Sequence, residues 1–133
     1  MTRYFIDTCV WRDFLEEGKY KEETSRFFNV VMENRDEIIF CEEIMYEMRK
    51  RYSMKEIEDM FLIFKMIGLL KLVRKSEKQM EQAYALVRER SLPYPDCLFA
   101  ILARDNDAIL VTQDKHFKLL IDIVDVKGPS EFP

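Results

Sequence analysis

Residues 93–117, PYPDCLFAILARDNDAILVTQDKHF, decide the fold of this chain. The first half opens on proline and aspartate and then fills with Leu, Phe, Ala and Ile. It predicts a helix over Pro95–Asp105, with Asp96 in a first turn where the helix dipole favours an acid. The second half, Ala108–Thr112, is a short apolar run bounded by polar residues, which predicts a strand that leaves Asp114 just past its end. Working outward, the same alternation covers the whole chain. Strands are expected at Arg3–Asp7, Glu37–Phe40, Leu70–Arg74, Ala108–Thr112 and Asp122–Val126. Helices are expected at Val10–Glu17, Lys21–Asn34, Glu42–Arg51, Met54–Ile67, Glu77–Arg90, Pro95–Asp105 and Lys115–Leu120. Strands that alternate with helices predict an α/β domain on a parallel sheet of four or five strands. With no repeat, linker or low-complexity tract, residues 1–133 are expected to form a single domain.

Composition narrows the chemistry. The net charge is −4 and the pI about 5.2, so the chain is not a generic basic coat for nucleic acid. A cluster of cation-binding carboxylates would itself lower the formal charge, so a nuclease stays open. The only glycines, Gly18, Gly68 and Gly128, are scattered, which excludes a phosphate loop or dinucleotide loop built on clustered glycines. The only histidine is His116, which removes a Ser–His–Asp or Cys–His triad as a strong option. Cys9, Cys41 and Cys97 match neither a zinc site nor a disulfide framework, so a reduced compartment is expected. A strand begins almost at Met1 and the longest apolar run is too short to span a bilayer. No signal peptide and a cytoplasmic location are therefore expected.

In an open parallel sheet, ligands bind in the crevice beyond the carboxyl ends of the strands. Four acids fall at or past such ends: Asp7 in FIDTCVW, Glu47 in FCEEIMYEMRK, Asp96 in LPYPDCLFAILA and Asp114 in ILVTQDKHF. Carboxylates gathered in one crevice repel, which is relieved by a raised pKa or a bound cation. An oxygen-only donor set favours magnesium or manganese, and metal on carboxylates is how water is activated against a phosphodiester. Each acid also has a structural alternative. Asp7 and Asp114 fit helix N-caps, Asp96 fits a first-turn acid, and Glu47 fits a solvated partner for Arg51. Glu43 and Glu47 form a like-charged i, i+4 pair that a cation between them would relieve. The acids argue as a set.

These segments resemble PIN domains. FIDTCVW is similar to the family's opening strand, FCEEIMYEMRK to its second strand and helix, and residues 93–117 to its Asp, apolar helix, strand and Thr-x-Asp. The resemblance runs in order from Asp7 to Asp114. It implies a three-layer α/β/α sandwich and a magnesium- or manganese-dependent endoribonuclease that cuts RNA. Carried over, Asp7, Glu47 and Asp96 would hold metal, Asp114 would support metal or water, and Thr8 and Thr112 would orient the carboxylates. Many small prokaryotic members are VapC-like toxins, often homodimers held inactive by an antitoxin protein. Cys9 and Cys41 depart from the family, which often has Asn or Ser, and Ser or Thr, at these places. Glu42, Glu43 and Glu47 compete as the second acid; Glu47, followed by an apolar and then a basic residue, is preferred, with Glu43 in support.

A HAD-like phosphatase would need an acid at position 9, which is Cys9, and a receiver domain would need one after the third strand, where LKLVRKSE has none suitably placed. The remaining alternative is a PIN-like module that binds RNA or protein with little or no catalysis. Arg49, Lys50, Arg51, Lys55, Lys115 and Lys118 are candidates for the RNA backbone or for ordinary solvated surface. Along Met54–Ile67 the apolar surface exceeds one stripe. That helix is expected to be buried on two sides of the monomer or to form a contact surface rich in Met and Phe.

Overall fold

In a computed structural model describing residues 1–132, the chain forms a five-stranded, wholly parallel sheet of order β3-β2-β1-β4-β5. The strands are β1 (Arg3–Ile6), β2 (Glu37–Phe40), β3 (Leu70–Leu72), β4 (Ile109–Val111) and β5 (Val126–Lys127). The helices are α1 (Thr8–Leu15), α2 (Lys21–Asn34), α3 (Glu42–Arg49), α4 (Met54–Met66), α5 (Glu77–Arg90) and α6 (Tyr94–Asp105). Lys115–Leu120 is a 3-10 helix.

Strands β1 and β2 are almost wholly buried, as continuous apolar strands covered on both faces should be. Pairing of Tyr4 with Ile38 and Ile109 puts β1 at the centre. Alternate side chains reach opposite layers. The Tyr4 ring meets Phe27 of α2 edge-on at 5.3 Å, while Phe5 packs on Phe99 of α6 at 5.1 Å. Trp11 of α1 joins Phe28, Phe61 and Phe64 at centroid distances of 5.0, 4.7 and 5.7 Å, which ties α1, α2 and α4 into one layer. The other layer is α5 and α6, and every α6 residue from Cys97 to Ala103 is buried. These are the three layers of the α/β/α sandwich.

The chain leaves β1 for β2 and β3 on one side, then returns to β4 and β5 on the other. The order reverses between β1 and β4, and that switch point is where an open α/β sheet offers a crevice. Asp7 N donates to the Val111 carbonyl at 2.9 Å, so the two strands are still joined where Asp7 reaches that crevice.

Two elements differ from the sequence expectation. The last strand is Val126–Lys127 and not Asp122–Val126. Ile123 N and Val124 N both donate to the Leu120 carbonyl, so the chain still turns at the apolar residues that suggested a strand. Helix α4 is not buried on two sides, the first of its two expected placements: Ile57, Met60, Phe61 and Phe64 are buried, while Met54, Leu62, Ile63 and Met66 are exposed. It ends at Gly68, whose φ of 74° is the left-handed conformation that glycine adopts most readily.

Candidate active site

Asp7 ends β1 and caps α1, and it does both with one carboxylate. Its Oδ1 accepts from Thr8 N at 2.8 Å; its Oδ2 accepts from Thr112 Oγ1 at 2.8 Å and from Cys9 Sγ at 3.2 Å. Capping and membership of an acidic cluster, which the sequence left as alternatives, are therefore one arrangement. Burial raises the Asp7 pKa, and Asp114 adds to the rise; Thr112, Cys9 and Thr8 oppose it by hydrogen bonding the ionised form. The Thr112 hydroxyl also accepts from Asp114 N at 2.9 Å, so one side chain links two of the acids. Asp114 Oδ1 in turn accepts from His116 N at 2.9 Å and caps the 3-10 helix.

Asp96 enters from the first turn of α6. Its pKa is pushed up to about 7, first by burial, then by the charges of Asp7 and Asp114 and, more weakly, Glu47, with His116 acting the other way. Glu47, on α3, is raised by burial and by Asp7, and lowered by Thr8, Lys50 and Arg12. Asp96 thus lies within electrostatic reach of the other three acids, and Asp7 within reach of Glu47 and Asp114. Glu47 and Asp96 share a cleft of about 490 Å³ with Thr8, Arg12, Lys50, Arg51 and Pro95. Glu43 lies one turn before Glu47 and forms an ion pair with Lys75.

The residues fit a hard divalent cation. The donors are carboxylate oxygens, and burial together with the neighbouring acids raises the Asp96 pKa to about 7, a cost that a cation would relieve. The Thr8 hydroxyl is buried beside Glu47 without a good hydrogen-bond partner, leaving it free to serve the cluster once charge is added. One nitrogen joins the oxygens. His116 Nδ1 is 3.3 Å from Asp114 Oδ1 and 3.8 Å from Asp96 Oδ2, and ligand atoms of these three residues lie within 4.8 Å of one another.

Sequence reasoning treated His116 only as a lone histidine, although its place two residues after Asp114 was the available signal. It also passed over Arg12, which lies one helical turn after Thr8 and therefore on the same face of α1. Of the basic candidates, Lys50 and Arg51 line this cleft, and Lys115 and Lys118 line a second cavity beyond Asp114. Lys55 instead pairs with Asp59 at 3.0 Å, and Arg51 is also paired, with Glu16 at 3.1 Å. Cys9 sits at the cluster as a thiol donor, while Cys41 and Cys97 are buried in the core.

No helix among the described residues is long and apolar enough to cross a membrane. No curated protein sequence matches the chain. Similar solved structures include VapBC2 from Rickettsia felis bound to a DNA fragment from their promoter, at 18% identity and TM-score 0.68 over 96% of this chain and 98% of that one. A toxin-antitoxin complex from Klebsiella pneumoniae matches at 16% identity and TM-score 0.68, over 95% and 97% of the two chains. FitAcB from Neisseria gonorrhoeae matches at 14% identity and TM-score 0.66, over 95% and 97%. Identities this low speak to fold alone. The PIN domain family model, however, matches residues 4–121, most of the chain, and the protein belongs to the PIN-domain family.

Proposed function

We propose that this protein is an endoribonuclease dependent on magnesium or manganese, with Asp7, Glu47, Asp96 and Asp114 as its metal-holding acids. PIN domains are generally nucleases, and the observation that carries the finer assignment is the mutual crowding of these four carboxylates at the sheet's switch point. A bound divalent ion supplies Lewis acidity toward water and the phosphodiester, and countercharge to the acids.

The chain's own groups do the rest. Thr112 holds Asp7 and Asp114 in a fixed relation through its single hydroxyl. Thr8 orients Glu47. The Asp7 caps and strand contacts keep its carboxylate from swinging away when charge is added, which is preorganisation of the kind that makes charge stabilisation effective. Arg12 and Lys50, on the wall of the cleft beside Glu47, present positive charge to the phosphate backbone, a contact that is blind to base sequence.

The proposal extends to partners. The exposed Leu62, Ile63 and Met66 on α4 form an apolar face suited to a protein contact, and two of the similar structures are described as toxin-antitoxin complexes or carry the names of such pairs. A homodimer controlled by an antitoxin fits that surface.

Cleavage of mixed RNAs with magnesium, manganese or EDTA tests the reading. Internal cleavage that needs the metal and disappears in Asp7→Asn is the expected result. A folded protein that leaves every RNA intact in both metals would refute it.

A further inference from the structure

Beyond Asp114, on the side away from the Glu47 cleft, lies a second cavity of about 290 Å³. Its wall includes Thr112, Gln113, Asp114, Lys115, Lys118 and Lys127. Thr112 and Asp114 belong to the acidic cluster as well, so anything held here is next to the reacting centre.

The charges in this cavity have no partners of their own. The lysines that form ion pairs are Lys55 and Lys75; Lys115, Lys118 and Lys127 form none among the described residues. Lys127 Nζ rests 5.7 Å from the Phe132 ring centroid, a contact that leaves its charge uncompensated. Two carboxylates line the cavity as well, each held by a backbone N–H, so three lysine charges stand there against two acidic ones. Glu131 Oε2 accepts from Gly128 N at 2.6 Å, and Asp114 Oδ1 accepts from His116 N. Gln113 also lines the cavity, and its Nε2 is buried with no hydrogen-bond partner.

Three lysines free of ion pairs among the described residues, around a small cavity, suit an anion with several acceptor oxygens. The opposite flank of the cluster, with Arg12 and Lys50, is cationic too. A polynucleotide fits this pattern: one phosphate lies over the acids and its neighbours lie on the two basic flanks.

We propose that the cavity bounded by Gln113, Lys115, Lys118 and Lys127 is a phosphate subsite, holding the backbone phosphate of the nucleotide next to the one that is cut. This rests on the ribonuclease reading above for its substrate, but its binding test does not require cleavage. The subsite positions RNA and takes no part in bond breaking.

The test uses one short single-stranded RNA and two measurements. The first is steady-state cleavage by the wild type, by Lys118→Ala/Lys127→Ala and by Lys78→Ala, a control at an exposed position of α5 away from both cavities. The second is binding of the same RNA across a salt series, by fluorescence anisotropy, with Asp7→Asn present to block cleavage. The double variant should raise KM about tenfold, and Lys78→Ala should match the wild type. In the salt series the slope of log affinity against log salt should fall by roughly 1.4, about 0.7 for each single-strand phosphate that a lysine no longer neutralises. Circular dichroism confirms that each variant folds.

Cleavage with an unchanged KM and an unchanged salt slope in the double variant would overturn the subsite while leaving the ribonuclease reading intact. A wild type that cleaves nothing, yet binds RNA with a slope that falls in the double variant, would keep the subsite and overturn the ribonuclease. RNA that binds neither protein would overturn the subsite as well.

Discussion

Asp96→Asn in metal-free protein isolates the physical strain at the centre of this site. The Asp96 carboxyl is pushed from 3.8 to about 7, by burial first and by its acidic neighbours second. Its side chain is only 14% exposed, so solvent does little to screen the effect. At about 1.36 kcal/mol per pH decade, the ceiling on the cost of ionising it in the fold is about 4 kcal/mol. Because the folded pKa lies above the unfolded one, the stability tied to the neutral form is complete below about pH 4. It is lost as pH rises through about 7. Asparagine carries no such charge. In EDTA, wild type and variant should therefore melt together near pH 4 and diverge as pH rises, with the variant more stable at pH 8. Local relaxation and water entry will reduce the ceiling, so about 1–2 kcal/mol is expected, or roughly 3–10 °C for a domain of this size. Differential scanning fluorimetry at half-unit pH steps reads the divergence. Added manganese should then stabilise the wild type more than the variant, because a ligand bound only by the fold shifts the melting point by mass action. A variant that melts at or below the wild type at pH 8 in EDTA would show that the four acids do not strain one another, and the argument for a cation site would fall.

Asp7→Asn should behave differently: cleavage disappears, but the protein loses about 1–2 kcal/mol, because the amide cannot accept from both the Thr8 N–H and the Thr112 and Cys9 donors; an unchanged or higher melting point would count against those bonds. Phe61→Glu should unfold the chain, since Phe61 is buried against Trp11 and Phe40, whereas Met66→Glu should stay folded and, if α4 is the dimer contact, sediment as a monomer. His116→Ala should narrow any preference for manganese over magnesium in thermal stabilisation, because an imidazole nitrogen suits the softer ion; an equal preference in both proteins would take His116 out of the site. Cys9, with a thiol pushed up to about 12 by burial and Asp7, should react slowly with iodoacetamide at pH 8, and Cys9→Ser should keep cleavage by preserving a donor to Asp7; rapid alkylation of the folded protein would refute that protonation state.

Much of this molecule is legible in its amino-acid sequence. Burial on two faces writes short apolar runs into β1 and β2, and 3.6-residue periodicity writes the helices, so α2 and α5 run over the residues expected of them. The acids at the strand ends can be picked out because local pattern alone puts them there. What local pattern cannot carry is which residues far apart in sequence come together. Glu43 and Glu47 lie one turn apart on the same face of α3, and only the seat of that helix against the sheet decides that one meets Lys75 while the other joins Asp7 and Asp96. The exposed apolar half of α4 and the inward turn of Phe61 depend on which side of that helix the core occupies. The strand expected at Asp122–Val126 failed for the same reason: its apolar residues serve a turn held by the Leu120 carbonyl, and pairing with β4 starts only at Val126. Sequence determined the elements and the acids, because those follow from the period and end-points of single segments. Tertiary structure alone decided which carboxylates face one another, that His116 lies among them and that three lysines share a cavity, because those contacts join segments whose relative placement no single segment encodes.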